Sequence, residues 1–206
     1  MERNQFLSQL RSRMPVSVSP APQVKPRIHR VLTPEERLQL FVERATAALT
    51  HIHICTSDDA ALSILESIIG ASSFVDTGCK RYGHLLQELQ HSSCKDLTHD
   101  RDVTFGISDA LFGVALTGTC VLDAHQHRGG SLLPPCHIIF LDAADIVEDL
   151  YAAYAKVGDS LRNSRTSVFA FHTGPSRSAD IEQTMALGVH GPGDVHIVLF
   201  ALHDGE

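Results

Sequence analysis

The chain has 206 residues, of which 43% are hydrophobic, and its formal net charge is −7 at pH 7. This length and apolar content suit one globular domain with a core of its own, alone or with a small appendage. The acidic balance disfavours a general nucleic-acid binder, and no run of about 18 apolar residues is present to cross a membrane as a helix.

The first thirty-two residues are predicted to form an arm in front of the main domain. The polar start Met1–Gln5 is not typical of a secretory signal, so we expect the protein in the cytoplasm. Residues 2–14 have the apolar spacing of an amphipathic helix, and the proline-rich stretch 15–26 cannot continue that helix. We expect this arm to dock on its own domain or to link copies of the chain into a homo-oligomer.

The main domain, residues 33–206, is predicted to alternate strands and helices. Residues 33–36 form a capping box with Pro34 at the first helical position, which predicts a helix to about Leu49. The apolar run 137–141 is typical of a strand that is buried on both faces. Further strands are predicted at 52–55, 73–76, 103–107, 119–122, 167–171 and 196–202, and further helices at 58–69, 81–91 and 144–156, the last with Leu150 and Tyr154 facing inward. This order predicts an α/β fold with a mostly parallel sheet covered by helices on both faces.

The clearest candidate site is the glycine turn after the strand 167–171, where a helix is predicted to start at Ser176 or Ser178. In parallel α/β sheets, the free backbone N–H groups at such a helix start bind anions. Gly174 would let a ligand approach the backbone, and Arg177 could hold a carboxylate or phosphate by two hydrogen bonds. In the alternative interpretation, the serines only cap the helix and Arg177 is solvated.

Two other segments could complete a ligand crevice. His190 lies among the glycines of 188–193, where it could donate a hydrogen bond or move a proton, or simply belong to a tight connection. The Thr117-Gly118-Thr119 segment follows an apolar turn predicted at 110–116. Its hydroxyls form either a second wall of the crevice or an ordinary structural turn.

Two sets of alternating histidines raise the question of a metal site. Residues two apart on a strand face the same way, so Asp123, His125 and His127 could bind zinc, and His51 with His53 forms a similar pair. The glycines after His127 predict a flexible surface loop, where ligand geometry would be poor. We therefore expect neither a metal nor another cofactor on this chain.

The five cysteines are widely scattered, and no two have the short spacing that iron–sulfur clusters or zinc ribbons use. This pattern is typical of reduced thiols in a cytosolic protein. Any iron–sulfur chemistry would have to belong to a partner protein. The cysteines are Cys55, Cys79, Cys94, Cys120 and Cys136.

Three segments, taken together, resemble the LUD domain of the lactate utilization protein C family, LutC, also called YkgG. The resemblance is carried by their order and spacing, and it extends from about Asp102 to the end of the chain. The segments are Ser108-Asp109 with Thr117-Gly118-Thr119, then 131–134 leading into His137-Ile138-Ile139, and finally 174–182 with 188–192.

The resemblance implies a fold related to the ribose-5-phosphate isomerase and CoA-transferase group. It also implies a role in oxidising L-lactate to pyruvate, alongside partner proteins that carry iron–sulfur clusters. The chain would then be the cofactor-free component and would bind a small carboxylate or a phosphate-bearing ligand. The predicted ligand-binding residues are Thr117, Gly118, Thr119, Gly174, Pro175, Ser176, Arg177, Ser178, His190 and Gly191.

The chain departs from the family pattern at three places. Leu116 stands where the family usually has Glu before its Thr-Gly-Thr, so catalysis through that carboxylate is excluded here. Pro135 replaces a frequent Glu, and the basic residues before Ser131 are reduced to Arg128. These departures indicate a divergent or accessory member.

Two enzymatic alternatives stand beside a binding component. The first is an autonomous isomerase or acyl-transfer enzyme acting on a sugar phosphate or CoA ester, with Asp109, His190 or Asp180 as its base. The second is a metal-dependent activity that uses His125 and His127. We rank the binding component first, and the sequence does not decide whether the chain catalyses a reaction by itself.

Overall fold

The computed structural model describes residues 4–5, 8–9, 31–89, 93–94, 103–124, 128–163, 168–179, 185–188 and 190–201. The chain divides into two compact units, Met1–Arg30 and Val31–Glu206. In the first unit, Asn4, Gln5, Ser8 and Gln9 are helical. The proline-rich stretch 15–26 lies outside the described residues.

The described part of the second unit contains four helices and eleven strands. The helices are α1 (Pro34–Ala47), α2 (Asp58–Ile69), α3 (Gly83–Glu88) and α4 (Leu150–Asn163). The strands are β1 (His51–Cys55), β2 (Ser73–Asp76), β3 (Ser93–Cys94), β4 (Phe105–Val114), β5 (Thr119–Asp123), β6 (Cys136–Asp142), β7 (Ile146–Val147), β8 (Phe169–His172), β9 (Arg177–Ala179), β10 (Met185–Leu187) and β11 (Asp194–Phe200). No helix within these ranges is long and apolar enough to cross a membrane.

The main sheet has the strand order β1-β11-β6-β4-β2-β3, and each of these neighbouring pairs is parallel. The strand β4 continues beyond this sheet. Its first half, 105–109, pairs with β6, and its second half pairs antiparallel with β5, which in turn pairs antiparallel with β8. A register shift between Ala110 and Phe112 separates the two halves, so one strand belongs to both sheets.

Helices cover both faces of the main sheet, as the sequence predicted. On one face, α2 packs Leu65 into a cluster with Ile138 of β6 and Val198 of β11. On the other face, α1 packs Phe41 against the next residue along β6, Ile139. The helix α4 covers the second half of β4, with which it shares a separate small core. The predicted mostly parallel α/β fold is confirmed.

Two of the predicted helix starts are confirmed together with the contacts that cause them. The hydroxyl of Thr33 accepts a hydrogen bond from the backbone N–H of Glu36 at 3.2 Å, and the Glu36 carboxylate accepts one from the N–H of Thr33 at 3.0 Å. At the start of α2, the Ser57 hydroxyl accepts from the N–H of Ala60. Each contact satisfies a backbone donor that the helix itself leaves unpaired.

The apolar turn predicted at 110–116 is wrong, because the strand β4 runs through to Val114. Phe112 and Val114 are buried under α4, so pairing with β5 satisfies their backbone groups while their side chains enter a core. A short apolar stretch has the same composition in a turn or a buried strand, and only its partners decide between them.

The helix predicted from Ala144 begins later than expected. Residues 143–145 form a 3-10 turn in which Asp142 Oδ1 accepts from the N–H of Ala144 at 2.8 Å. The strand β7 follows, and α4 begins only where Asp149 Oδ1 accepts from the N–H of Ala152. Leu150 and Tyr154, which were predicted to face inward, are 38% and 63% exposed.

The helix predicted after the glycine turn at 174 is also wrong. The chain continues as β9, which pairs antiparallel with β10. Arg177 pairs with Leu187 in this hairpin, so the backbone at Arg177 is extended and not helical. The predicted anion site therefore lacks the helix start on which its free N–H groups depended.

Candidate functional site

The structure brings two of the predicted segments together through a chain of hydroxyls. Thr117 Oγ1 and Thr119 Oγ1 lie 2.7 Å apart, and Thr119 Oγ1 lies 2.7 Å from Thr173 Oγ1. The Thr-Gly-Thr segment and the glycine turn that follows β8 are thus neighbours in space, as a common crevice would require.

The two glycines of these segments face the end of α1 at close range. Gly118 has a φ of 64° and Gly174 a φ of 74°, a region that favours glycine. A Cβ at Gly118 would overlap the backbone of Ala45, and one at Gly174 would overlap the carbonyl oxygen of Ala48. The close approach predicted for a ligand is occupied by the protein's own helix end.

The turn at Gly174 also joins the loop that carries His190. The N–H of Ser176 donates to the carbonyl of Pro192 at 2.8 Å, and the N–H of Gly188 donates to the carbonyl of Ser176 at 2.9 Å. Gly191 packs against the Ser176 side chain. The two segments form one layer, Pro175 is buried within it, and His190 is exposed.

Arg177 keeps an exposed side chain beside this layer. Its Nη2 donates to the carbonyl of Ala48 at 3.3 Å, and no carboxylate among the described residues pairs with it. A single long hydrogen bond leaves most of the five guanidinium donors available. The side chains of Ser178 and Asp180 lie outside the described residues, as do those of His125 and His127.

This layer lies at the amino ends of β1 and β11. The carbonyl of Pro135 accepts from the N–H groups of Gly193 and Asp194 where β11 begins. Ala48, the partner of Arg177, precedes β1 by three residues. Ligands of open parallel sheets usually bind at the opposite, carboxyl edge.

At the carboxyl edge, Asp109 holds the loop that follows β2. Its Oδ2 accepts from the N–H groups of Lys80 and Arg81 at 2.6 and 2.7 Å, while its Oδ1 is buried and has no partner among the described atoms. Asp109 was a candidate base, and the structure uses one of its oxygens to fix the backbone.

Ion pairs also cover the carboxyl edge of the main sheet. The Arg81 guanidinium donates to Asp142 at 2.6 Å and to Asp145 at 2.7 Å, and Tyr82 Oη donates to the same oxygen of Asp142 at 3.3 Å. Burial, followed by the charge of Asp142, raises the pKa of the Tyr82 phenol. The chain's own loop and side chains thus cover the carboxyl end of β6 and the end of the first half of β4.

A row of buried polar side chains is not evident from the sequence, because His137 stands in an otherwise apolar run. His137 Nε2 lies 2.9 Å from Ser108 Oγ, which lies 2.7 Å from Thr77 Oγ1. Burial, and then the nearby His172, lower the pKa of His137 to about 3. A serine next to a histidine resembles a nucleophile with its base, but a base of such low pKa accepts a proton poorly near neutral pH.

Histidines from two neighbouring strands meet on one face of the main sheet. His51 Nε2 lies 3.2 Å from Asp194 Oδ1, and His196 Nε2 lies 3.3 Å from Asp194 Oδ2. His53 Nε2 lies 3.0 Å from His196 Nδ1. The alternation of His51 and His53 was noted as a sequence pattern, whereas the same alternation of Asp194 and His196 was missed.

A sequence profile of the LUD domain matches residues 99–200. The chain contains an LUD domain. The matched region begins shortly before β4 and ends with β11, so it contains Asp109, Thr117, Arg177 and His190. The resemblance inferred from the motifs is confirmed.

Several relatives of this LUD domain chain are proteins named lactate utilization protein C. The one from Bacillus pumilus is 26% identical over 193 residues, which is 82% of this chain and 80% of that protein. The one from Bacillus subtilis is 36% identical over 91 residues, or 42% of this chain and 38% of that protein. The uncharacterized protein NMB1437 of Neisseria meningitidis is 36% identical over 107 residues, covering 50% of this chain and 44% of that protein. The more similar matches thus span less than half of the relative's length.

A crystal structure of a DUF162 family protein from Deinococcus radiodurans has the same fold as this LUD domain chain. The TM-score is 0.65 and the sequence identity 18%, over 82% of this chain and 99% of that one. The likeness therefore extends in front of the profile match, into the part of the chain that contributes α1, β1 and α2.

Proposed function

We propose that this chain is a LutC-like component of a lactate-utilization system, in which L-lactate is oxidised to pyruvate. The support is the similarity to lactate utilization protein C along 82% of the chain. Such a component would recognise a small carboxylate, and an unpaired cationic group in the LUD domain is suited to bind one.

The proposed anchor for the ligand is Arg177. Its guanidinium is exposed and bonds a carbonyl only at 3.3 Å, and this is the observation that carries the proposal. The chain has a net charge of −7, yet Arg177 has no acidic partner among the described residues. Its positive charge is therefore suited to bind an anion. A planar guanidinium can bind a carboxylate or phosphate through two parallel hydrogen bonds. The ligand would lie on the layer formed by the glycine turn and the His190 loop.

Titration calorimetry with L-lactate, pyruvate and inorganic phosphate tests this anchor. We expect at least one of these anions to bind, and Arg177→Ala to weaken that binding about tenfold or more, because a hydrogen bond to a charged group contributes about 1.5–3 kcal/mol. The matched control is Lys80→Ala, which removes one exposed positive charge at the other edge of the sheet. Equal binding by the wild type and Arg177→Ala would show that another group holds the anion.

We further propose that iron–sulfur chemistry in this system resides on partner proteins. Burial raises the pKa of Cys55 to about 11 and that of Cys136 to about 12, and it also raises the pKa of Cys120. Iron–sulfur clusters are bound by cysteine thiolates, and a raised pKa keeps these buried thiols protonated near neutral pH. The four cysteines whose side chains the structure describes are free thiols: Cys55, Cys79, Cys120 and Cys136.

Genetic complementation tests this division of labour. In a host that needs this gene for growth on L-lactate, a variant with all five cysteines changed to alanine should restore growth. Circular dichroism of the purified variant separates loss of folding from loss of function. A folded variant that fails to restore growth would place essential cysteine chemistry on this chain.

A further inference from the structure

The strands β1 and β11 bring four polar side chains to one face of the sheet. The strands are parallel neighbours, and His51 is the register partner of His196. Because residues two apart on a strand face the same way, His53 joins His51, and Asp194 joins His196. This cluster uses none of the residues proposed to bind the anion, so its function does not depend on the anion-binding proposal.

Two distances within the cluster are close to those between neighbouring ligands of a metal centre. Asp194 places one carboxylate oxygen 3.2 Å from His51 Nε2 and the other 3.3 Å from His196 Nε2. One ligand atom from each of the three residues lies within 4.8 Å of the others. In a tetrahedral site with metal–ligand bonds of about 2.0–2.1 Å, neighbouring ligand atoms lie about 3.3 Å apart. We propose that His51, Asp194 and His196 bind a divalent transition-metal ion of the zinc class.

His53 supplies the support that a metal-bound histidine usually has. Its Nε2 lies 3.0 Å from His196 Nδ1, the nitrogen that would face away from the metal. The two rings are stacked, with centroids 5.2 Å apart and planes 13° from parallel. A hydrogen bond to the second ring nitrogen fixes the orientation of a metal ligand. His53 is therefore a positioning residue and not a ligand.

The site is accessible to an ion and has room for a further ligand. The side chains of His51 and Asp194 are 60% and 48% exposed, whereas that of His196 is 14% exposed. Three protein ligands leave the fourth position of a tetrahedral ion to water or a small molecule. Two imidazoles favour zinc and its neighbours over magnesium or calcium, which prefer oxygen ligands only. The site joins a strand in front of the matched LUD region to the last strand within it.

Metal binding by the full, tag-free chain tests the proposal. We expect titration calorimetry to show one tight site for Zn²⁺ in the metal-free wild type, with a rise in melting temperature. With Co²⁺ in place of Zn²⁺, the visible spectrum should show the intense bands of tetrahedral coordination. His51→Ala and Asp194→Asn should each weaken Zn²⁺ binding by more than the about 10–100-fold expected for His53→Ala, which removes only a supporting contact.

A matched control and a check of folding make this metal-binding experiment specific. His84→Ala is the matched control, because His84 forms an exposed pair with Asp58 at 2.8 Å elsewhere in the fold, and its loss should leave the affinity unchanged. Because the His51 side chain is 60% exposed, its removal leaves no cavity in a core. Circular dichroism verifies the folding of each variant. If the wild type binds no Zn²⁺, or if His51→Ala binds it as tightly as the wild type, the three residues are only a hydrogen-bonded cluster.

Discussion

At the scale of single residues, Gly174 shows how closely the candidate layer is packed. At its φ of 74°, an alanine would be less stable than glycine by about 1–2 kcal/mol. The Cβ of that alanine would also overlap the carbonyl of Ala48. The position therefore depends on glycine for two independent reasons, a backbone conformation and a steric contact.

We expect Gly174→Ala to lower the free energy of unfolding by at least about 2 kcal/mol in urea denaturation. The control is Gly83→Ala, at the start of α3, where the nearest atom to a new Cβ is 3.8 Å away and φ is not positive. That change should be neutral or stabilise by up to about 1 kcal/mol through helix propensity. Equal effects of the two changes would contradict the packing of this turn.

His137 links stability to pH. Its folded-state pKa of about 3 lies below the unfolded value of about 6.5, because burial disfavours the charged imidazole. Between these values the unfolded state binds more protons. The contribution of a neutral His137 is therefore complete above about pH 6.5 and is lost as pH falls toward 3, by about 1.4 kcal/mol per pH unit.

The variant His137→Gln should accordingly show a shallower fall of unfolding free energy between about pH 6 and about pH 4 than the wild type. Urea denaturation at a series of pH values measures these slopes. Thr46→Ala serves as the control, because it removes an exposed side chain that carries no titratable group and should keep the wild-type slope. If His137→Gln has the wild-type slope, the acid sensitivity arises from other groups.

At the scale of secondary-structure elements, α1 has a start that can be tested by itself. Removing the Thr33 hydroxyl leaves a backbone N–H at the helix start without its acceptor. Thr33→Ala should therefore lower the free energy of unfolding by about 1 kcal/mol. Thr46→Ala, at an exposed position near the end of the same helix, should be neutral or slightly stabilising. Thermal unfolding followed by circular dichroism compares the two, and similar losses would contradict the cap.

Elements with local signals were predicted from the sequence, whereas those that depend on distant partners were not. The caps at Thr33 and Ser57 are interactions over three residues, so the sequence contains all their atoms. The second half of β4 depends on β5 and α4, and β9 depends on β10. For such segments, tertiary pairing overrides the local pattern.

Of the two candidate sites, one was predicted from the sequence and the other only in part. The sequence placed the Thr-Gly-Thr segment and the turn at Gly174 at one site, and the hydroxyl contact between Thr119 and Thr173 agrees with this. The histidine cluster was only half foreseen, because His53 and His196 are 143 residues apart and meet only through the parallel pairing of β1 and β11. Alternating polar residues on two separate strands do not show that the strands are neighbours.

On the largest scale, the described residues of the second unit form three cores around the main sheet and the antiparallel sheet of β4, β5 and β8. One lies under α2 and α3, one between α1 and the opposite face of the main sheet, and one under α4. The second core also contains Cys120 and Leu122 of β5, so it touches both sheets. The parallel and antiparallel parts thus share side chains as well as a strand.

The shared strand β4 has a consequence for how the protein opens. Neither sheet can separate from the other while β4 stays whole, since its first half is held by β2 and β6 and its second half by β5 and β7. Amide protons on both sides of the register shift, such as those of Ile107 and Phe112, should then exchange with solvent deuterium only through global unfolding. Exchange measured by NMR should give them one common opening free energy, equal to that of the entire unit. Two distinct values would mean that the bulge is a hinge at which the halves melt independently.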